Sequence, residues 1–282
     1  RTVQHHVAHV FSCMAENELE PPVLGVSWDG TGFGDDGTVW GGEFFKVEPD
    51  SLERVAHLRT FRLPGGETAV REPRRSAIGL LHEIFGDDVF EMDNVPAINT
   101  FSEEDKRVLS AMLDRDINSP VTSSAGRLFD AVSSIIGIRH AANYEGQAAM
   151  ELEFALGGAR TRESYTFDMV EEENRMIVDW EPMIRGILDD LERSVATSVI
   201  SARFHNMLAE AIDWIAIESG EPRVVLTGGC FQNRYLLEEA VLRLRTSGLK
   251  PYWHQRIPTN DGGIALGQIA AAAYFDNRSD KS

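Results

Sequence analysis

The spacing of apolar residues changes repeatedly along this chain, and each change predicts a different element. Val3, Val7, Val10, Phe11 and Met14 fall near helical spacing and predict a helix over residues 3–16. Val23-Leu24-Gly25-Val26-Ser27-Trp28 reads as a buried strand. A Gly/Asp-rich turn follows, then a second strand from Val39 to Val47 and a third from Arg54 to Leu63. Together they predict an antiparallel meander. After Pro64-Gly65-Gly66 the pattern is helical over 76–85, 102–114, 124–136 and 145–156, with Ser102 as an N-cap. A hairpin is predicted around Glu173-Asn174, then a helical stretch from Glu181 to Ser219 broken near Arg193-Ser194. The tail alternates: strand Arg223 to Thr227, helix 232–246, strand Lys250 to His254, and a small-residue helix from Asp261 to Phe275.

This order matches one ribonuclease H-like lobe, a meander extended by parallel strands through right-handed crossovers. The predicted class is therefore α/β, with a mixed sheet and a long helical insertion. The expected organisation is a ribonuclease H-like lobe formed by residues 21–66 and 221–282, interrupted by a mainly helical insertion over 67–220. Residues 1–20 are expected to be the last helix of a truncated N-terminal lobe. The chain opens without Met and leads at once into histidines, so it reads as part of something longer.

Composition narrows the partners. At 282 residues, 43% hydrophobic and 26% charged, the chain suits a globular protein with a sizeable core. A net charge of −18 argues against a nucleic-acid partner, which needs a basic face. Only Cys13 and Cys230 are present, so there is no disulfide framework or four-cysteine zinc site, and a reducing cytoplasm is expected. No apolar run is long enough to predict a membrane span.

Four separated segments carry the chemistry. His5 and His9 are four apart, share a helix face and can chelate one ion; His6 and His9 offer a second pairing. Asp29 ends the first strand and opens a turn with six glycines between Gly30 and Gly42, whose N–H groups can approach phosphate oxygens. Gly228-Gly229 lies between a strand and a helix, where a nucleotide meets a helix N-terminus. Asp261 opens the last helix at the same end of the predicted sheet as Asp29. Each has a plainer reading: a structural histidine pair, an Asp-Gly hairpin, a tight Gly-Gly packing turn, an N-cap. Cys230 reads as a small buried cysteine rather than a nucleophile.

Taken together the segments resemble the C-terminal carbamoyltransferase domain of the HypF family of [NiFe]-hydrogenase maturation proteins. The matching stretches are Val3-Gln4-His5-His6-Val7-Ala8-His9 and the run from Asp29-Gly30-Thr31-Gly32-Phe33-Gly34 to Gly41-Gly42-Glu43-Phe44. Further on come Thr122-Ser123-Ser124-Ala125-Gly126-Arg127-Leu128-Phe129-Asp130-Ala131-Val132, Tyr144-Glu145-Gly146-Gln147, Gly228-Gly229-Cys230-Phe231-Gln232-Asn233 and Asn260-Asp261-Gly262-Gly263. The resemblance implies the actin/Hsp70-like ATPase fold. It implies metal ligation by His5, His9, Asp29 and Asp261, with His9 and Asp261 acting catalytically. It implies ATP or carbamoyl-adenylate binding through Gly30, Asp130, Gly146, Gly228, Gly229 and Asn233. Two imidazoles and two carboxylates suit Fe²⁺, Zn²⁺ or Mn²⁺.

The implied reaction moves a carbamoyl group from carbamoyl-adenylate to the C-terminal cysteine of HypE, an ATP-dependent process in the full-length family member. The adenylating and other N-terminal domains of that polypeptide have no counterpart in this chain, so they are expected as partners, and this chain is expected to need them for adenylate formation. The alternatives are an O-carbamoyltransferase acting on a small-molecule alcohol, a small-metabolite kinase of the same superfamily, and a non-catalytic nucleotide-binding module.

Overall fold

The computed structural model describes residues 2–279. In chain order its strands are β1 (Val23–Phe33), β2 (Val39–Val47), β3 (Leu52–Leu58), β4 (Phe61–Arg62), β5 (Val121–Thr122), β6 (Asp168–Glu172), β7 (Arg175–Asp179), β8 (Arg223–Thr227) and β9 (Lys250–Trp253). Its α-helices are α1 (His5–Glu16), α2 (Glu67–Arg71), α3 (Pro73–Phe85), α4 (Glu103–Asp114), α5 (Ala125–Ile135), α6 (Gln147–Phe154), α7 (Glu181–Glu192), α8 (Thr197–Ser219), α9 (Arg234–Thr246) and α10 (Ile264–Ser279). The chain forms two compact units. One comprises the residues up to Leu58, Met169–Val178 and the residues from Leu208 onward; the other comprises Arg59–Asp168 and Asp179–Met207.

In the first unit the strands lie in the order β6-β7-β3-β2-β1-β8-β9. The β1–β2 and β2–β3 pairs are antiparallel, whereas β1–β8 and β8–β9 are parallel. The run β3-β2-β1-β8-β9 is the ribonuclease H-like order. Central β1 is buried along Val23 to Asp29, as a strand covered on both faces must be. Helix α1 lies close against it: a Cβ at Gly25 would fall 2.5 Å from a Val10 methyl. Val7, Val10, Phe11, Cys13 and Met14 of α1 share one core with Val23, Phe45, Val47, Val225 and Ala271.

Two features depart from the sequence reading. The third strand stops at Leu58, and Phe61–Arg62 pairs instead with Val121–Thr122 inside the second unit. Buried residues continue through Ala56, Leu58, Phe61 and Leu63, so periodicity alone does not mark the break. The hairpin over 168–179, placed by sequence within the helical insertion, pairs through β7 in parallel with β3 and extends the first unit's sheet. Its turn residues Glu173 and Asn174 both have positive φ, the geometry that matches strand twist in a two-residue hairpin.

The second unit is mainly helical. Ser102 and Asp105 form a reciprocal capping box on α4, and Ser124 caps α5 by accepting from Arg127 N–H. The break between α7 and α8 falls at Ser194, which has positive φ. Helix α5 is buried along its whole length and packs its Phe129 edge-on against Phe204, with ring centroids 4.9 Å apart. Among the described residues no helix is long and apolar enough to cross a membrane.

Candidate metal centre

The centre forms where β1 loses its regular pairing with β2. The register runs to Trp28↔Gly42 and resumes at Gly32↔Trp40, so β1 advances four residues while β2 advances two. Asp29, Gly30 and Thr31 occupy this bulge. A bulge redirects a side chain, and here it leaves the Asp29 carboxylate facing α1. Asp29 Oδ2 lies 3.1 Å from His5 Nε2 and 3.0 Å from His9 Nε2. Asp261 Oδ1 lies 3.4 Å from His5 Nε2 and 3.6 Å from His9 Nε2. One donor atom from each of the four residues lies within 4.8 Å of the other three.

The other Asp29 oxygen is held by main chain: Oδ1 accepts from Gly30 N at 2.8 Å and from Gly229 N at 3.2 Å. Burial opposes charge on this carboxylate, but the bonds from His5, His9 and Gly30 prevail and hold it well below the usual range. The Asp29 hydrogen bond raises His5 against the opposing effect of burial. His9 is buried and Asp261 is exposed, so the cluster opens to solvent on the Asp261 side.

The donor set fits a divalent ion. With bonds of about 2.1 Å, neighbouring donors sit roughly 3.0 Å apart in an octahedron and 3.4 Å apart in a tetrahedron. The four His–Asp separations, 3.0 to 3.6 Å, span that range. His6 is not among the donors. Its Nδ1 meets Gln4 Nε2 at 3.0 Å, and burial, followed by the His5 charge, lowers its pKa to about 3.

The glycines have identifiable reasons. Gly228 has φ 97°, and a Cβ there would fall 2.1 Å from the Trp28 carbonyl oxygen; at Gly229 it would fall 2.8 Å from Asp29 Oδ1. The Gly-Gly turn therefore crosses the end of β1 at main-chain contact distance and delivers an N–H to Asp29. A Cβ at Gly32 would meet His6 Cε1 at 2.4 Å and His5 Cδ2 at 2.9 Å, so this glycine makes room for the histidines. Its role went unread in the sequence, where it counted only as one of six turn glycines. Much of that hairpin is internally satisfied: Asp36 accepts from Thr38 N and Trp40 Nε1, while Glu43 accepts from Gly41 N and Gly42 N.

The remaining predicted site residues divide between the units. Asn233 caps α9 by accepting from Leu236 N at 2.9 Å, and Cys230 is half-buried in the first unit and forms no disulfide. Asp130 is buried in the second unit with Arg127 Nη2 3.0 Å away; burial raises its pKa to about 6, with Arg127 opposing and Glu145 assisting. Gly146, at φ 77°, opens α6 in the left-handed conformation.

A ribonuclease H-like lobe with a two-histidine, two-carboxylate cluster at the mouth of its sheet defines a class within the actin/Hsp70-like fold. Comparison with known proteins specifies it. The family model for the carbamoyltransferase, Kae1-like domain, second subdomain, matches residues 25–268. The carbamoyltransferase HypF of Synechocystis sp. is 41% identical over 282 residues, covering 95% of this chain and 36% of its own length. A carbamoyltransferase HypF homolog of Cupriavidus necator is 37% identical, covering 96% of this chain and 70% of its own. A crystal structure of full-length HypF in a phosphate- and nucleotide-bound form superposes with TM-score 0.88 at 40% identity, covering 97% of this chain and 36% of that one. The chain belongs to the HypF carbamoyltransferase family, and it spans about a third of the first of these relatives.

Proposed function

We propose that this chain is the transferring domain of a carbamoyltransferase, working in the cytoplasm together with the N-terminal domains of its full-length relatives. The donor is carbamoyl-adenylate, made from ATP by those domains, and the acceptor is the C-terminal cysteine of HypE, in the synthesis of hydrogenase cyanide ligands. The thiolate sulfur bonds to the carbamoyl carbon. The bond from that carbon to the phosphate oxygen breaks, AMP leaves with the electron pair, and the thiol proton passes to solvent.

His5, His9, Asp29 and Asp261 hold a divalent ion, Fe²⁺, Zn²⁺ or Mn²⁺. When bound, the ion supplies Lewis-acid stabilisation of phosphate or carbonyl charge. Asp29 stays ionised beneath the two imidazoles, and the Gly228-Gly229 turn fixes its other oxygen. The candidate nucleotide contacts are Gly30, Gly228, Gly229, Asn233, Asp130 and Gly146. The observation that carries this reading is the meeting of four donors from three distant segments in a chain of this family.

The test is mass spectrometry of HypE after incubation with carbamoyl-adenylate and this chain joined to its family's N-terminal domains. The expected product is a carbamoyl adduct on the terminal cysteine. An adduct only on an added small-molecule alcohol would replace the acceptor, and nucleotide binding without any transfer would leave a binding module.

A further inference from the structure

The candidate donors come from α1, β1 and the segment entering α10, and one buried carboxylate ties the first of these to the last. Glu16 ends α1, the helix that carries His5 and His9. Its Oε1 accepts main-chain N–H from Gln255 at 3.0 Å, Arg256 at 2.6 Å and Ile257 at 3.3 Å. Its Oε2 lies 2.7 Å from His254 Nδ1, and its own carbonyl accepts from Arg256 Nη2 at 2.9 Å. Residues 254–257 are the start of the segment that leads from β9 to Asp261.

A second line of contacts returns to the histidines. Thr227 Oγ1, at the end of β8, donates to the His9 carbonyl at 3.1 Å and lies 3.0 Å from His254 Nε2. One residue on, Gly228 N donates to the Thr259 carbonyl, and Thr259 Oγ1 donates back to the Gly228 carbonyl, both at 3.1 Å. Gly229 N then reaches Asp29. An imidazole ligand is ordinarily steadied through its second ring nitrogen. Among the described residues His9 Nδ1 is buried with no hydrogen-bond partner, so beyond the Asp29 contact at Nε2 its ring is placed by packing and by its main chain, which Thr227 holds.

We propose that Glu16, with His254 and Thr227, is a positioning unit that sets the spacing between the α1 histidines and Asp261, and thereby the affinity of the centre for a divalent ion. This rests on reading His5, His9, Asp29 and Asp261 as metal ligands. None of the three positioning residues contributes a donor to that cluster. A purely structural Glu16 would alter the stability of the fold and leave ion affinity alone; a positioning Glu16 alters the affinity of a folded protein.

The probe is cobalt(II), titrated into the 282-residue chain and followed by visible absorption, with folding checked by circular dichroism. Glu16→Ala is expected to weaken cobalt binding about 10- to 100-fold, the scale for removing an outer-shell partner. The absorption band should keep its position because all four donors remain. Glu16→Gln retains an oxygen to accept the three N–H groups and should recover most of the affinity. Thr227→Val, nearly isosteric, should weaken binding in the same direction. A folded Glu16→Ala protein with wild-type affinity would overturn the proposal while leaving the metal reading intact. If Glu16→Ala does not fold, wild-type affinity in Thr227→Val overturns it instead. Absence of cobalt binding by the wild-type chain would remove the metal reading, and this inference with it.

Discussion

Gly267 of α10 sits directly against the carbonyl oxygen of Ala8 on α1: a Cβ at Gly267 would come within 1.7 Å of that oxygen and 3.0 Å of Ser12 N. Ala8 immediately precedes His9, so this tight contact between the two helices falls beside a candidate ligand. Gly267→Ala must force the helices apart. The expected cost is about 1–3 kcal/mol, the range for overpacking a dense core. Thermal unfolding should show it as a lower midpoint, and cobalt titration as weaker binding; an unchanged midpoint would contradict the packing described.

His9→Ala and Asp261→Ala should each reduce carbamoyl transfer by at least about 100-fold when the chain is joined to its family's N-terminal domains, the scale for one preorganised electrostatic element. Cys230→Ser should retain most activity, because transfer straight to the acceptor thiol needs no enzyme nucleophile. Initial rates from mass spectrometry of the acceptor decide both. Loss of transfer in a folded Cys230→Ser protein would replace direct transfer with a covalent relay.

Asn233 has a structural task and a proposed binding task, and the two can be separated. Asn233→Ala removes the cap on Leu236 N–H and should lower stability by about 1 kcal/mol. Asn233→Ser keeps a capping oxygen but loses the amide. Its thermal midpoint should stay near wild type, while adenine-nucleotide affinity, read by calorimetry, falls by about 1–2 kcal/mol. Unchanged affinity would leave Asn233 with the cap alone.

Glu16 also shapes the response to acid. Burial works against its charge, but N–H bonds from Arg256 and Gln255 and the His254 contact prevail and hold its pKa below the ordinary 4.5. A carboxyl group depressed in this way stabilises the fold fully above its unfolded value. The contribution is lost as pH falls below 4.5 and through the folded value. The difference in unfolding midpoint between wild type and Glu16→Gln should therefore be largest near neutrality and shrink as pH drops below about 4.5. A constant difference down to strong acid would show that the charge contributes nothing.

Much of the first unit was readable because its parts are local. A meander followed by strand–helix–strand–helix leaves few topologies for one sheet, and the histidines, carboxylates and glycines announce themselves by type and spacing. The bulge at Asp29 was not readable, since it exists only in the register of β1 against β2. The pairing of β7 with β3 is similarly nonlocal. Glu16 did leave a trace that went unread: an acid in the last turn of a helix opposes the helix dipole and calls for donors from elsewhere. Gly267 and Gly25 read only as small residues in apolar elements, because what each Cβ would strike lies on another element.

The parallel pairing of β3 with β7 has a consequence for anyone trimming the chain. Removing everything between Leu58 and Leu208 would excise Met169–Val178 as well, and with it the hairpin that covers the flank of β3. That cut would leave a seven-residue strand with a row of open N–H and C=O groups, a template for joining a second molecule edge to edge. In the intact chain the outermost strand is instead β6, five residues long and bearing Asp168, Glu171 and Glu172. A short, acidic margin repels a second copy of itself, so a soluble minimal lobe has to keep that hairpin, spliced in from the far side of the insertion.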